Sequence, residues 1–214
     1  MLILVIDTCL AVCQAALVRD GVSLASAREP MTRGHQERLA PMVREVLGSA
    51  DEGFAAVNRV AVTVGPGSFT GLRVGLAFAK GMALALERPC VGIGTLAALA
   101  ASIEPAGVRA AAIDAGRGAI FLQIFEGGHE LSAPDSLPIE TAAARLIEFR
   151  AGYALVGPQA SHLAQALPGA RPFELDAPSP LAIARLAAVA PLVPPRPLYL
   201  RAADAKISFK AMAR

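Results

Sequence analysis

The sequence predicts an α/β protein with two related lobes, and two observations support this prediction. Apolar segments with strand character alternate with segments of helical periodicity, and this alternation occurs twice along the chain, as in α/β folds. A short pattern is also repeated. Ile6-Asp7 ends the first apolar run, Ile113-Asp114 ends another, and Gly21 and Gly128 follow at the same spacing. Because the copies lie half a chain apart, we interpret them as an internal duplication of one strand-turn-strand unit.

Each lobe is expected to contain a mixed sheet with an antiparallel meander, flanked by helices. Residues 2–6 form a continuous apolar run, which is typical of a central strand buried on both faces. A second strand at about 14–18 leads into Asp20-Gly21, a strong hairpin signal, and a third strand follows at about 23–28. In the second half, the strand that ends at Ile113 and a strand at 119–125 repeat the beginning of this order.

An amphipathic helix is predicted after the first meander. Charged residues occupy one of its faces, and Pro41 should lie in its first turn or kink it. The opposite face is an apolar stripe with helical spacing, formed by Leu39, Met42, Val43, Val46 and Leu47.

The next strand, at 60–64, leads through a glycine-rich turn into a long apolar helix, with Ser68 and Thr70 both placed to cap its start. Four small residues spaced by four share one face of this helix, and we call them the small-residue ridge. Glycine inside a helix costs about 1 kcal/mol relative to alanine, so the ridge indicates that another backbone comes close. That backbone could belong to the protein's own core, to another subunit or to a ligand. The ridge consists of Gly71, Gly75, Ala79 and Ala83.

The remaining segments predict where the lobes divide. A strand at 89–93 and a short helix capped by Thr95 precede a junction near 104–107. After the second meander, helices are predicted at about 141–150, 159–167 and 179–189, with a strand at 153–156. We therefore predict an N-terminal lobe of residues 1–104 and a C-terminal lobe of residues 105–214, whose tail at about 198–214 packs back on the first lobe.

Composition argues against several classes of protein. The net charge is +2, aromatic residues make up 5% and tryptophan is absent, so stand-alone nucleic-acid binding is disfavoured. Three cysteines without paired spacing and three scattered histidines predict neither a disulfide framework nor a zinc site. Arg73 and Lys80 interrupt the best apolar run, and the N-terminus lacks a basic region. We therefore expect no membrane span and a cytoplasmic location.

Two aspartates at strand ends are the main candidates for chemistry. Asp7, followed by Thr8, and Asp114 each end a predicted strand, where a carboxylate can orient a metal or water and the following turn can bind phosphate. Two facing units of this kind would hold ATP and Mg²⁺; alternatively, both aspartates cap turns. The turn at 65–71 lacks the GxxxxGK[ST] pattern of a P-loop, and Ser68 has no neighbouring base to activate it.

Three other polar residues leave a choice of interpretation. His35 could be an isolated ligand or part of a polar helix end. Arg73 and Lys80 are spaced by seven residues on an otherwise apolar helix. They could pair with acids across an interface, or they could form the solvated edge of that helix.

Five segments carry a resemblance to a known family. They are LVIDT at 4–8, HQERL at 35–39 followed by Pro41, GPGSFTGLRVG at 65–75, IDAGR at 113–117 and PLYLR at 197–201. Together they resemble the TsaB family (YeaZ type) along nearly the whole chain, and GPGSFTGLRVG is the most specific segment. The resemblance implies the two-lobed, actin-like or hexokinase-like ATPase fold (ribonuclease H-like). It also implies a scaffold subunit of the machinery that makes N6-threonylcarbamoyladenosine in tRNAs reading codons that begin with A.

The resemblance further implies that catalysis belongs to a paralogue, TsaD, which has the same fold and transfers the threonylcarbamoyl group to tRNA. TsaD carries a metal-binding HxxxH motif, and the matching positions here are Thr95 and Leu99, which cannot replace imidazole ligands. We therefore expect a non-catalytic subunit in which Asp7, Thr8 and Asp114 mark a vestigial nucleotide cleft. This chain alone is expected to bind no cofactor; ATP with Mg²⁺ and a metal would belong to the partner subunits.

The expected partners are a TsaD-like paralogue in a heterodimer, a TsaE-like ATPase and, through the same helices, a second copy of the chain. Binding to tRNA would occur only through the complex. The family joins the amphipathic and small-residue helices across its interface, and small residues let helices approach closely. The alternative is a stand-alone enzyme of this fold, either a small-molecule kinase or a metallopeptidase-like hydrolase. The expected interface residues are Leu39, Met42, Val43, Val46, Gly71, Arg73, Val74, Gly75, Phe78, Ala79 and Met82.

Overall fold

Two mixed β-sheets form the framework of the protein. The computed structural model describes residues 1–50, 53–104, 107–148 and 153–200. In the first sheet the strand order is β3-β2-β1-β4-β5. Its strands are β1 (Leu2–Asp7), β2 (Val12–Arg19), β3 (Val22–Pro30), β4 (Arg59–Thr63) and β5 (Cys90–Ile93).

The predicted meander at the start of the chain is confirmed. β1 pairs antiparallel with β2, and β2 pairs antiparallel with β3. The β2–β3 hairpin turns at Asp20 and Gly21, whose φ angles of 46° and 84° match the left-handed conformations that this kind of turn requires. All six residues of β1 are buried, because β4 pairs with its other edge in parallel orientation and helices cover both faces of the sheet.

The second sheet repeats this arrangement. Its order is β11-β10-β6-β7-β8, with β9 paired to β7. The central strand, β6, has an antiparallel neighbour, β7, on one side and a parallel neighbour, β10, on the other, as β1 has in the first sheet. This equivalence supports the predicted duplication. The strands are β6 (Val108–Gly116), β7 (Ala119–Glu126), β8 (His129–Glu130), β9 (Asp135–Pro138), β10 (Ala154–Val156) and β11 (Arg171–Phe173).

Helices cover both sheets, and two of them cross between the halves of the chain. α1 and α2 pack on one face of the first sheet, and α4 and α5 pack on one face of the second. α3 follows β5 but packs on β6 and β7 of the second sheet, whereas α6 packs on the first sheet. The helices are α1 (His35–Gly48), α2 (Phe69–Leu86), α3 (Thr95–Ala100), α4 (Ile139–Ile147), α5 (Ala160–Ala164) and α6 (Pro180–Val189).

These exchanged helices bear on the predicted lobes. α6 belongs by sequence to the second half, yet its buried residues contact β1, β4 and β5. Further along, the backbone N–H of Leu198 donates to the carbonyl of Val64 at 2.8 Å. The division at residue 104 stays a prediction, and the tail from 201 to 214 lies outside the described residues.

Two details of the helices differ from the prediction. Pro41 does not lie in the first turn of α1, because that helix begins at His35. Thr95 is the first residue of α3 and does not cap it, since the capping position is occupied by Gly94. α2 is long and apolar enough to cross a membrane by length and composition alone. Buried core helices also pass such a test, and one face of α2 packs against the first sheet.

Candidate partner-binding face and interlobe cleft

The turn between β4 and α2 is fixed against the end of β1. Ser68 caps α2 as predicted, because its Oγ accepts a hydrogen bond from the N–H of Gly71 at 3.2 Å. The N–H of Ser68 donates to the carbonyl of Cys9 at 2.7 Å. A Cβ added to Gly67 would lie 2.1 Å from that same carbonyl oxygen, so only glycine permits this approach. The start of α2 is therefore held by the β1–β2 turn.

The small-residue ridge packs against the protein's own backbone. A Cβ on Gly71 would lie 2.0 Å from the carbonyl oxygen of Thr8, and a Cβ on Gly75 would lie 2.4 Å from the Oγ1 of Thr8. That hydroxyl donates to the carbonyl of Gly71 at 2.7 Å. Ala79 and Ala83 continue the ridge into the core. Of the three partners left open by the sequence, the ridge therefore contacts the core, and its expected role as a partner surface is wrong.

The apolar stripe of α1 is likewise internal. It lies in the core between α1, α2 and the first sheet, and none of its residues is more than 2% exposed. The sequence pattern correctly placed these residues on one apolar face, but a period of 3.6 residues does not say what covers that face. A partner could reach these side chains only by opening the core. The expected interface residues to which this correction applies are Leu39, Met42, Val43 and Val46.

The outer face of α2 remains available. Arg73 and Ala77 are exposed there, and Val74, Phe78 and Met82 are only half-buried. Only 33% of the helix is buried, although it is apolar along most of its length. Large apolar side chains at both ends project strongly, with Phe69 41% and Leu84 81% exposed. This surface, which we call the outer face of α2, is the part of the expected interface that a partner could reach.

An aromatic–cation cluster lies at the N-terminal end of this face. The guanidinium carbon of Arg73 lies 3.7 Å from the ring centroid of Phe69, and the Nε of Arg73 donates to the Tyr199 hydroxyl at 3.2 Å. The two aromatic ring centroids are 5.5 Å apart. Sequence analysis missed Phe69 and Tyr199, although both lie in the family-like segments at 65–75 and 197–201.

Asp7 is fully buried and lies at the junction of three strands. Its carboxylate accepts hydrogen bonds from Thr63 Oγ1 at 2.6 Å, Gln14 Nε2 at 2.8 Å and the N–H of Cys9 at 3.1 Å. Burial raises the pKa of Asp7, and these hydrogen bonds partly oppose that rise. Gln14 Nε2 also donates to the carbonyl of Pro178 at 2.8 Å. Gln14 thus links Asp7 and the first sheet to the segment that precedes α6.

The residues expected to mark a nucleotide cleft differ in their exposure to solvent. Asp7 and Thr8 are buried against β4 and α2, as described above. Asp114 is exposed, and its carboxylate accepts a hydrogen bond from the N–H of Gly116 at 2.8 Å, which is the turn-capping role left open by the sequence. Only Asp114 of the three lines a cavity between the two sheets.

That cavity has a volume of about 320 Å³ and a lining that includes Cys9, Thr32, Ser68, Asp114 and Asp176. Two carboxylates lie in this lining, and no lysine or arginine of the described residues does. Asp176 forms an ion pair with Arg28. Burial raises the pKa of the Cys9 thiol to about 12, so it is protonated and unreactive at neutral pH.

The other positions considered for metal binding are buried. His35 is the first residue of α1, and its Nε2 has no hydrogen-bond partner among the described residues. Thr95 and Leu99, at the positions that match the HxxxH motif, are fully buried on α3. Within the described ranges, no group of three or more His, Cys, Asp or Glu residues is placed to hold a metal ion.

Comparisons with known proteins agree with this architecture. A family model described as TsaD, tRNA N6-adenosine threonylcarbamoyltransferase, matches residues 29–150. The TsaB protein of Escherichia coli is 41% identical over 100 residues, covering 47% of this chain and 43% of that protein. A threonylcarbamoyltransferase of Moorella thermoacetica is 45% identical over 65 residues, covering 30% of this chain and 19% of that protein. The chain thus spans less than half the length of these curated relatives.

A solved structure covers more of the molecule. A Pseudomonas aeruginosa protein, described as uncharacterized with similarity to the peptidase YeaZ, superposes with a TM-score of 0.78 at 32% identity. The match covers 94% of this chain and 99% of that one. The two mixed sheets flanked by helices have the actin-like ATPase fold. The chain belongs to the TsaD family and, within it, to the TsaB or YeaZ type.

Proposed function

We propose that this chain is a non-catalytic partner subunit that binds and activates a TsaD-type threonylcarbamoyltransferase. The reaction forms N6-threonylcarbamoyladenosine next to the anticodon of tRNAs that read codons beginning with A. The observation that carries the proposal is the outer face of α2, which is apolar and largely exposed. Large exposed apolar side chains such as Phe69 and Leu84 are expected to be covered where a partner binds.

The position of α2 explains how this surface can be presented to a partner. The small-residue ridge brings the helix against Thr8, and Ser68 fixes its first turn. The helix is thus attached firmly by one face while the other projects from the lobe. A surface held in this way loses little conformational freedom on binding, which favours affinity.

The absence of a catalytic role is proposed from the state of the candidate groups. Hydrogen bonds occupy both oxygens of Asp7, the Cys9 thiol has a raised pKa, and the cavity beside Asp114 lacks cations among the described residues. These features favour a subunit that acts through contact. The names of the TsaB relatives refer to tRNA threonylcarbamoyladenosine biosynthesis, and we extend that role to this chain.

Further parts of the proposal concern the assembly. A TsaE-like ATPase would be the third member, and a second copy of this chain could occupy the outer face of α2 in the absence of the paralogue. ATP with Mg²⁺ and a metal would be bound by the partner subunits. Contact with tRNA would be made through the complex. We also propose that the protein acts in the cytoplasm.

The test is threonylcarbamoyl transfer to tRNA, reconstituted from purified TsaD-type and TsaE-type proteins with and without this chain. Ala77→Arg should abolish the stimulation, because it places a charge on the exposed outer face without touching the core. Leaving that charge buried and unpaired costs about 3 kcal/mol or more, which weakens binding by about a hundredfold. Ala144→Arg, at an exposed position of α4 in the second lobe, is the matched control.

Three results would contradict the proposal. Transfer that proceeds equally well without the chain would remove the activating role. Turnover of ATP, a small-molecule phosphate acceptor or a peptide by the purified chain alone would support the alternative, a stand-alone kinase or metallopeptidase-like hydrolase. Ala77→Arg that binds and stimulates like the wild type would show that the partner docks elsewhere.

A further inference from the structure

Arg73 contacts two aromatic side chains at the N-terminal end of the outer face of α2. Its guanidinium lies over the Phe69 ring at 3.7 Å, and its Nε donates to the Tyr199 hydroxyl. Stacking of this kind is favourable for arginine, because the planar cation lies against the negative face of the ring. The side chain is exposed, yet two contacts restrict its rotation.

The terminal nitrogens of Arg73 have no partner within the described part of the chain. Tyr199 is the residue there that accepts a hydrogen bond from this guanidinium, and it uses only Nε. As far as the described residues extend, the N–H groups on the two terminal nitrogens are therefore open to an incoming ligand. Two parallel N–H donors match the two oxygens of a carboxylate or phosphate.

We propose that Arg73 receives a carboxylate group from the partner subunit, in a bidentate pair at the end of the interface formed by the outer face of α2. This inference rests on the proposed function and specifies the chemistry of one contact within it. An arginine that is already ordered loses less freedom when the pair forms than a mobile surface arginine would. Arginine and tyrosine are also the residue types enriched at energetically important interface positions.

The surroundings of Arg73 favour a protein carboxylate over a tRNA phosphate. Nucleic-acid surfaces carry several cations along one stripe. On α2, in contrast, Lys80 is the next cation, about 10 Å along the axis at 1.5 Å per residue. Between the two lie the apolar side chains of Val74, Ala77 and Phe78. One oriented cation bordered by apolar surface is typical of a protein–protein interface.

Tyr199 acts as a positioning residue in this arrangement. Its segment is fixed where the N–H of Leu198 donates to the carbonyl of Val64 at 2.8 Å. The carbonyl of Leu198 also approaches Gly65 so closely that an added Cβ would lie 3.0 Å away. The end of the described chain is thereby placed beside α2, where the tyrosine hydroxyl can orient Arg73.

The experiment measures the affinity of the full chain for the purified TsaD-type paralogue by titration calorimetry at several salt concentrations. Arg73→Gln should weaken binding by about tenfold or more and reduce the salt dependence of the dissociation constant. Arg73→Lys keeps the charge but loses the planar pair of donors, so it should recover only part of the affinity. Tyr199→Phe should weaken binding by about threefold, since it keeps the ring and removes the hydroxyl that orients the guanidinium.

Arg171→Gln is the matched control. Arg171 also lies over an aromatic ring, that of Phe173, but on β11 of the second sheet. Its substitution should leave the affinity unchanged. Thermal unfolding of each variant is measured beside the titrations. If Arg73→Gln alters the melting temperature, the inference is tested by the affinities of Arg73→Lys and Tyr199→Phe instead.

The outcomes separate the two proposals. If the wild-type chain binds the paralogue and Arg73→Gln binds equally well, the carboxylate inference is wrong while the proposed function stands. If Arg73→Gln leaves that affinity unchanged but weakens tRNA binding by the assembled complex, the ligand is a phosphate and the inference is also overturned. If the wild-type chain does not bind the paralogue at all, the proposed function and this inference fail together. Coupling between Arg73→Gln and one Asp→Asn or Glu→Gln substitution in the paralogue would identify the carboxylate.

Discussion

The same substitution, glycine to alanine, should have opposite effects at two positions of α2. In a helix, alanine is favoured over glycine by about 1 kcal/mol when nothing else changes. Gly81 is exposed, and a Cβ there would have no neighbour within 4 Å. Gly81→Ala should therefore stabilise the protein by up to about 1 kcal/mol.

At Gly71 the added methyl group has no space. Its Cβ would lie 2.0 Å from the carbonyl oxygen of Thr8, a backbone atom that cannot rotate away. Overpacking typically costs about 1–3 kcal/mol, and so severe a contact belongs at the upper end. After the gain of about 1 kcal/mol in helix propensity, the net loss should be about 2 kcal/mol. For a protein of this size, that loss lowers the melting temperature by about 4–8 °C.

The assay is urea denaturation of the wild type and both variants, with thermal unfolding as a second measure. A shift of the midpoint at constant slope would report a change in stability without a change in the surface exposed on unfolding. If Gly71→Ala were as stable as Gly81→Ala, α2 could not be packed against Thr8 as described. The small-residue ridge would then be free for a partner helix, as the sequence had suggested.

Two further predictions concern the core. Because burial raises the folded-state pKa of Asp7 above its ordinary value of 3.8, the folded protein retains this proton to higher pH than the unfolded chain does. The stability contributed by Asp7 should therefore fall as pH rises above 3.8 towards the folded-state pKa. Asp7→Asn should flatten that part of the stability–pH profile, measured by urea denaturation. An unchanged profile would contradict the raised pKa of Asp7. Leu99 is fully buried where α3 packs on the second sheet. Leu99→Ala should therefore destabilise the protein by about 2–5 kcal/mol. A loss below about 1 kcal/mol in the same assay would show that α3 is not packed there.

Local patterns in the sequence predicted those features whose physical cause is itself local. The Asp20-Gly21 turn, the Ser68 cap and the alignment of apolar residues on one face of α1 each depend on a few neighbouring residues. The repeated strand-turn-strand pattern also predicted two mixed sheets. In each case, propensity, hydrogen bonding and periodicity within one short segment determine the conformation.

Contacts between distant residues could not be predicted in this way. Arg73 and Tyr199 are separated by 126 positions, and Gln14 reaches Pro178 across 164. No periodicity links such pairs, because the chain topology alone brings them together. The packing of α6 on the first sheet was missed for the same reason. The family-like segments marked the regions involved, but not which residues touch.

The error over the small-residue ridge shows how packing and the proposed interface are connected. Glycines on a helix face correctly indicated a close backbone, but the sequence could not distinguish an internal neighbour from an external one. The internal contact with Thr8 still affects binding, because it determines how far the outer face of α2 projects. Gly71→Ala should therefore weaken partner binding by displacing the helix, although Gly71 touches no partner, whereas Ala77→Arg acts at the surface itself. If Gly71→Ala reduces both stability and affinity while Ala77→Arg reduces affinity alone, the two faces of α2 have the separate roles that the structure assigns to them.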